Sequence, residues 1–193
     1  MSKGRAFLIG NGYSLASQRL DELKGEITFA MNGIAAMFPF TCWRPTYYVM
    51  VTTRYRADGD FRALVETAVK SAERSFIDVE YKEKNFFKRD DVTFIKTHER
   101  LEWYEANIYS KYATSMLTAI QLADSLGYSP LYLLGVDGYR EVGCNHFAEN
   151  YFLSAIDVQA DNKAMKEAYE FAKRHCLVYD MTDSEGFGVF ERG

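Results

Sequence analysis

The chain has 193 residues, of which 48% are hydrophobic, 16% aromatic and 26% charged, which is typical of a folded globular domain and excludes an intrinsically disordered chain. The net charge of −4 provides no basic field for a nucleic-acid backbone, so nucleic acid is not an expected partner. No segment approaches the roughly 18 consecutive apolar residues of a membrane-spanning helix, so no membrane span is expected.

Short apolar runs alternate with helix-like segments, which predicts a parallel sheet covered by helices. Three strands come first, a possible helix at 58–72 follows, and two more strands come next. In the second half a helix, a strand, a helix and a final strand alternate. The seven predicted strands cover residues 5–9, 27–30, 47–51, 76–79, 93–95, 131–134 and 176–179.

Two helices have strong signals in the second half of the chain. Residues 115–126 carry an apolar stripe that stops at Gly127, and Pro130 follows where a strand begins. Residues 161–175 carry apolar side chains at helical spacing and lead into the last predicted strand. By contrast, residues 81–91 (YKEKNFFKRDD) are the most charged stretch, and we predict a solvated loop there.

No repeat, low-complexity segment or Pro/Gly-rich linker marks a domain boundary. We therefore predict a single domain over residues 1–193, with room for a small insertion around 81–112. The predicted fold class is α/β, with one doubly wound, mostly parallel, Rossmann-like sheet and helices on both of its faces.

The three cysteines, Cys42, Cys144 and Cys176, are widely separated and form no CxxC pair. Such spacing indicates neither a disulfide framework nor a structural zinc site. Cys144 and His146 form a lone Cys-x-His, which is too sparse for a metal site. We therefore expect reduced thiols, a cytoplasmic location and no bound metal.

The first strand ends in GNGYSL, at residues 10–15, where the fold would place a ligand site beyond the carboxyl end of the sheet. Gly10 and Gly12 would let the backbone approach a phosphate, and we predict that Ser14 can cap the helix that follows. The turn is not a dinucleotide fingerprint, because Leu15 occupies the third glycine position, and it lacks the lysine of a P-loop. A structural turn and a ligand-binding turn fit this sequence equally well.

Four further polar residues follow predicted strands or stand at the start of the helix at 115–126. Asn32 could hydrogen-bond a ribose or base, or cap the next segment. Thr114 and Ser115 could cap that helix and also contact a phosphate or sugar. Asp137 could hold a metal, orient a hydroxyl or cap a turn, but no DxD spacing lies near it to support a metal-dependent glycosyltransferase.

His146 is the only histidine near these strand ends. Its near-neutral reference pKa suits a general base that deprotonates a hydroxyl group, and a hydrogen-bonded loop histidine is the alternative. Tyr139 could donate a hydrogen bond to a phosphate without a metal. His98 and His175 fall in a charged loop and at a helix end, where solvent contact or interaction with the helix dipole is expected.

The order of these segments resembles the bacterial sialyltransferases of glycosyltransferase family 42, and is similar to Maf-type glycosyltransferase domains and to archaeal 6-hydroxymethylpterin diphosphokinases. The resemblance implies a single Rossmann-like domain, a variant of the GT-A fold, that binds a CMP-sugar without metal or other cofactor. The segments that carry it are IGNGYSL, FAMNGI, YATSMLTAIQLADSLGYSPLYLLGVDGY, NHF and AMKEAYEFAKRHCLVYDM.

Carried over by motif position, the resemblance also implies roles for single residues. Tyr139 would stabilise the departing phosphate, and His146 would be the base that activates the acceptor hydroxyl. Asn11 and Gly12 would approach the donor phosphate, and Asn32 would contact the nucleotide. The two residues that would line the donor pocket are Thr114 and Ser115.

The chain departs from this family at several positions. Tyr13 stands where the family usually has proline, and Met116 replaces the glycine of TSG. The second phosphate-binding tyrosine has no clear equivalent, and the segment between Asp137 and His146 is short. These departures leave the donor sugar and the acceptor open.

Three functional hypotheses follow. The first is a metal-independent glycosyltransferase that moves a sugar from a nucleotide-activated donor, CMP-linked in the family, to a small-molecule or glycan acceptor. The second is a diphosphokinase-like transferase that holds Mg·ATP through Asp137 and either Asp58 or Asp60. The third is a nucleotide-binding protein without catalysis. A homo-oligomer is compatible with each.

Overall fold

The computed structural model describes residues 2–56, 59–141, 146–147, 158–184 and 186–193. Within these residues, nine strands form one sheet in which every neighbouring pair is parallel. The strands are β1 Ala6–Ile9, β2 Thr28–Met31, β3 Tyr47–Met50, β4 Arg74–Asp78, β5 Val92–His98, β6 Ile108–Ser110, β7 Leu131–Leu134, β8 Val178–Asp180 and β9 Glu191–Arg192.

The sheet is doubly wound, with strand order β6-β5-β4-β3-β2-β1-β7-β8-β9. The chain builds outward from β1 to β6, then returns to the other side of β1 and builds outward again to β9. Ala6 of β1 therefore pairs with Leu131 of β7, and Phe7 pairs with Thr28 of β2. The switch point of the sheet therefore lies between β1 and β7, and this is where open parallel sheets form a ligand crevice.

The described residues contain three α-helices: α1 Gly59–Ser71, α2 Ser115–Ser125 and α3 Val158–Lys173. Helix α2 carries the chain from β6 back to β7 across β1, β2 and β3, and α3 packs beside it. Helix α1 packs with β3 and belongs to a second buried cluster, on the opposite face of the sheet. Among the described residues, no helix is both long enough and apolar enough to span a bilayer.

Helix α2 is central because it is buried almost all round, from Met116 to Ala123. Its first turn is capped by Thr114, whose Oγ1 accepts a hydrogen bond from the Met116 N–H. The helix ends at Ser125, and Gly127 just beyond it has φ +88° and donates its N–H to the Asp124 carbonyl. A glycine in this left-handed conformation is a common helix stop.

The predicted α/β fold, with one parallel sheet and helices around it, is confirmed. All seven predicted strands are present, and the helix predicted at 58–72 is α1. Two strands were not predicted, β6 and β9. They have three and two residues, and β9 consists of exposed Glu191 and Arg192, so neither has an apolar run that would identify it. Both β5 and β6, from the region 81–112, belong to the same sheet.

The prediction of a solvated loop at 81–91 is wrong for its aromatic residues. Tyr81 and Phe87 are fully buried, and their rings pack against Tyr55 with centroids 5.3 and 5.1 Å away. The Tyr81 hydroxyl donates to the Thr52 carbonyl at 2.9 Å. Charge density predicted the solvated lysines and glutamates correctly, but it cannot show which aromatic side chains between them turn inward.

The neighbouring residues Phe86 and Phe87 test whether a buried aromatic side chain anchors residues 81–91 to the core. Replacing Phe87 with alanine is expected to lower the free energy of unfolding by about 3–5 kcal/mol, because a fully buried ring leaves a cavity. The same change at Phe86, which is only partly buried, should cost clearly less. Urea denaturation of both variants measures the difference, and equal losses would contradict an anchoring role for Phe87.

Candidate functional site

A cleft lies at the carboxyl ends of β1, β2 and β7, at the switch point of the sheet. Its walls come from the turn after β1, the residue after β2, the start of α2 and the loop after β7. Eight of the ten predicted site residues line it: Gly10, Asn11, Gly12, Asn32, Thr114, Asp137, Tyr139 and His146. Ser14 lies behind Asp137, and Ser115 lines a neighbouring groove that shares Thr114 with the cleft.

The two glycines of the first turn allow the ends of β1 and β7 to touch. The Gly10 N–H donates to the Leu134 carbonyl and the Gly12 N–H to the Gly135 carbonyl, both at 2.8 Å. A Cβ on Gly10 would overlap the Gly135 carbonyl oxygen, and a Cβ on Gly12 would overlap the Asp137 carboxylate. The turn therefore needs glycine for close packing, and both of these N–H groups are already bonded within the protein.

Asp137 is held in place by Ser14. Its Oδ2 atom accepts hydrogen bonds from the Ser14 N–H at 3.0 Å and from the Ser14 hydroxyl at 2.9 Å. The prediction that Ser14 caps a helix is wrong, because the short 3₁₀ helix Tyr13–Ser17 already includes it and its donors face Asp137. The other carboxylate oxygen, Oδ1, is buried and has no hydrogen-bond partner among the described residues.

Asn11 has a fixed amide orientation. Its Nδ2 donates to the Met31 carbonyl at 3.1 Å, and because a carbonyl can only accept, the amide nitrogen must face Met31. The amide oxygen, Oδ1, is buried and has no partner within the described part of the chain. The backbone carbonyl of Asn11 accepts the Phe147 N–H at 3.3 Å, which ties the turn to the His146 segment.

His146 is held by the same carbonyl. Its Nδ1 lies 3.0 Å from the Asn11 backbone oxygen, and Gly12 and His146 form an isolated antiparallel bridge. Since the carbonyl only accepts, Nδ1 carries the proton in the neutral imidazole and Nε2 carries the lone pair. The Tyr139 ring stands nearly perpendicular to the imidazole, at 6.1 Å between centroids. A proton-accepting nitrogen and a phenol therefore share the cleft.

Asn32 occupies a left-handed backbone position, with φ +52°, which asparagine tolerates better than most residues. Its carbonyl accepts the Tyr48 hydroxyl at 2.6 Å. Its side-chain amide lies 3.4 Å from the Ser115 hydroxyl. Asn32 thus links the end of β2 to the first residue of α2.

Thr114 connects the cleft to α3 through Tyr169. Burial raises the pKa of Tyr169, although the neighbouring Thr114 hydroxyl partly opposes that rise. Tyr169 therefore remains a neutral phenol behind the start of α2. Met116, at the position of the family's glycine, also lines the cleft and is buried.

Asn162, near the beginning of α3, was not predicted as a site residue. Its Oδ1 accepts the Tyr139 N–H and its Nδ2 donates to the Tyr139 carbonyl, both at 2.7 Å. Gly138 precedes with φ +77°, and a Cβ there would lie 2.9 Å from Asn162 Oδ1. Asparagine is common near the start of a helix, so the sequence gives no indication that Asn162 holds the backbone of Tyr139.

Replacing Asn162 with alanine is expected to loosen Tyr139. Two hydrogen bonds to backbone atoms are lost, which should lower the free energy of unfolding by about 1–3 kcal/mol. The matched change is Asn162→Asp, which keeps the acceptor for the Tyr139 N–H but turns an oxygen toward the Tyr139 carbonyl. Denaturant unfolding of both variants checks this clamp, and wild-type stability in both would refute it.

Of the three carboxylates in the magnesium hypothesis, the two that the structure describes lie in different places. Asp137 lines the cleft, Asp60 is exposed in the first turn of α1, and Asp58 lies outside the described residues. Across the ranges that the structure describes, no three His, Cys, Asp or Glu side chains are grouped as a metal site would require. Cys144, of the lone Cys-x-His, also lies outside those ranges. Burial raises the pKa of the Cys176 thiol to about 12.

The remaining histidines lie away from the cleft. His175 stacks on Trp103, with ring centroids 4.4 Å apart and an interplanar angle of 8°. His98 Nδ1 accepts the Arg100 N–H at 3.2 Å. Tyr13, at the position of the family's proline, carries the Arg140 guanidinium 4.3 Å above its ring.

No protein-family model and no curated protein matches this sequence. Among solved structures, the chain is similar to the sialyltransferase CstII from Campylobacter jejuni in complex with a substrate analogue, cytidine-5'-monophosphate. The TM-score is 0.64 at 13% sequence identity, over 100% of this chain and 86% of that chain. At this identity the likeness shows the fold, a single Rossmann-like α/β sheet, and nothing finer.

Proposed function

We propose that the protein is a metal-independent glycosyltransferase that moves a sugar from a nucleotide-activated donor, CMP-linked as the first candidate, to a hydroxyl acceptor. Its fold is similar to that of a sialyltransferase whose structure holds cytidine-5'-monophosphate. The observation that carries the proposal is the Asn11 carbonyl beside His146 Nδ1, because it leaves Nε2 as the proton acceptor in a cleft that Tyr139 also lines.

In the proposed reaction, the acceptor oxygen forms a bond to the anomeric carbon as the bond from that carbon to the phosphate oxygen breaks. The bonding electron pair leaves with the nucleoside phosphate. His146 Nε2 takes the proton of the acceptor hydroxyl, and the Tyr139 hydroxyl donates a hydrogen bond to the departing phosphate.

The phosphate would lie between Tyr139 and the start of α2. Thr114 lines the cleft there, and the N-terminus of an 11-residue helix carries a partial positive charge that favours anions. The turn at Gly10 and Gly12 suits the phosphate less well, because its glycine N–H groups are bonded to β7 and the loop that follows it.

Nucleotide binding tests the proposal directly. A thermal-shift and calorimetric screen would compare CMP, CDP, UDP, GDP and ATP, each with magnesium and with EDTA. We expect CMP to stabilise the fold equally in both conditions, by about 2.7 kcal/mol at a concentration 100 times its Kd. Hydrolysis or transfer assays with CMP-sugars would follow. If ATP with magnesium is the only condition that stabilises the fold, the result would support the diphosphokinase hypothesis and overturn the glycosyltransferase proposal.

A further inference from the structure

Two buried acceptor oxygens, on residues that line the cleft, have no hydrogen-bond partner among the described residues. They are Asn11 Oδ1 and Asp137 Oδ1. The rest of each side chain is committed, because Asn11 Nδ2 is bonded to Met31 and Asp137 Oδ2 to Ser14. Native proteins leave few buried polar atoms without a partner, and such atoms often mark a site that a ligand or water completes.

The two side chains flank the same glycine. Asn11 precedes Gly12 in the chain, and Asp137 Oδ2 lies where a Gly12 Cβ would be. Both remaining oxygens can only accept hydrogen bonds while Asp137 is ionised. The ligand group that completes this part of the cleft must therefore donate hydrogen bonds.

The charge of the cleft agrees with this requirement. Among the described residues that line it, none is lysine or arginine, and Asp137 is acidic. Two backbone donors of the turn, the N–H groups of Gly10 and Gly12, are already bonded to carbonyl groups. A phosphate placed here would face a carboxylate and an amide oxygen without a compensating donor from these two glycines, which is unfavourable for an anion.

We propose that Asn11 and Asp137 form a subsite for neighbouring hydroxyl groups of the ligand, a diol of a ribose or of a sugar, and that the phosphate lies elsewhere in the cleft. The inference rests on the proposed function only in placing a nucleotide or sugar in this cleft. It changes the role of the Gly-Asn-Gly turn, from a phosphate-binding turn to one that presents a hydroxyl-binding acceptor.

The first test compares CMP with 2'-deoxy-CMP and 2',3'-dideoxy-CMP by isothermal titration calorimetry on the wild-type protein. If the diol is that of the ribose, removing both hydroxyl groups should weaken binding about tenfold or more, because the two buried acceptors lose their donors. This comparison needs no variant, so it does not depend on a mutant folding.

Asp137→Asn tests the residue. Ser14 presents two donors to Oδ2, so the new amide should turn its oxygen toward Ser14 and its NH₂ toward the subsite, which replaces an acceptor with a donor. In this variant the Kd of the dideoxy analogue divided by the Kd of CMP, which is expected to be about ten in the wild-type protein, should fall close to one. Asp60→Asn removes the same charge at an exposed position of α1 and should keep the wild-type preference.

The second source of a diol is tested with galactose, glucose and N-acetylglucosamine by saturation-transfer NMR. This arm decides the case in which CMP and its dideoxy analogue bind equally, or in which CMP does not bind. Binding of one of these sugars to the wild-type protein, and its loss in Asp137→Asn, would then support a subsite for a sugar. Absence of Asp137-dependent binding in both arms would overturn the inference. Hydroxyl discrimination without any transferase activity would instead overturn the proposed function and leave the subsite intact.

Discussion

Replacing His146 with alanine is expected to lower the transfer rate by about 10²–10⁴-fold, the usual contribution of a positioned general base. The reason is the Asn11 carbonyl beside Nδ1, because in the proposed mechanism it leaves Nε2 to receive the acceptor proton. The Kd of CMP should stay within about threefold of the wild-type value, because a base acts on the acceptor and contributes little to ground-state binding of the donor.

The measurement combines steady-state kinetics with calorimetry on the same variant. His98→Ala is a suitable control, because His98 lies outside the cleft and should keep the wild-type rate. Full activity in His146→Ala would rule out the proposed mechanism. Equal losses in rate and in CMP affinity would assign His146 to ligand binding and leave the base unidentified.

Replacing Gly10 with alanine is expected to destabilise the fold by about 3 kcal/mol, near the upper range for overpacking a closely packed site. The new Cβ would overlap the Gly135 carbonyl oxygen and lie 3.0 Å from its carbonyl carbon. These are backbone atoms beside the β1–β7 pairing, so they cannot rotate away as a flexible side chain can. The midpoint of thermal unfolding should fall by roughly 6–12 °C for a domain of this size.

Gly59 provides the matched control. It begins α1, and a Cβ there would meet nothing within 4 Å. Gly59→Ala should therefore leave the stability unchanged or raise it by about 0.5–1 kcal/mol, the difference in backbone entropy between the two residues. If Gly10→Ala were as stable as Gly59→Ala, close contact between the ends of β1 and β7 would not be the reason for glycine in this turn.

The sequence predicted the sheet and the neighbourhood of the site because both depend on local patterns. Apolar runs of four or five residues identify buried parallel strands, and parallel strands end at one edge. Residues as distant in the chain as Gly12 and Asp137 could therefore be expected to meet. The boundaries of α2 were predictable for the same reason, since Thr114 and Gly127 are local start and stop signals.

The remaining details depend on long-range contacts that leave no local pattern. The two hydrogen bonds between Asn162 and Tyr139 require the exact placement of α3, and the tautomer of His146 depends on a backbone carbonyl at Asn11. The commitment of the Gly10 and Gly12 N–H groups to neighbouring carbonyls could not be predicted either. A glycine-rich turn has the same sequence whether its donors face a ligand or another strand.

The position of β1 in the sheet has a consequence for how the protein is made. Its first partner, β2, is synthesised within about thirty residues, whereas its second partner, β7, begins only at Leu131. Until then one edge of a wholly apolar strand, Ala6–Ile9, has no neighbour on the growing chain. Unpaired strand edges of this kind can pair with other chains. Strands that are far apart in the sequence, as β1 and β7 are, also pair slowly during folding. We therefore expect the nascent chain to be most vulnerable to aggregation before β7 has left the ribosome.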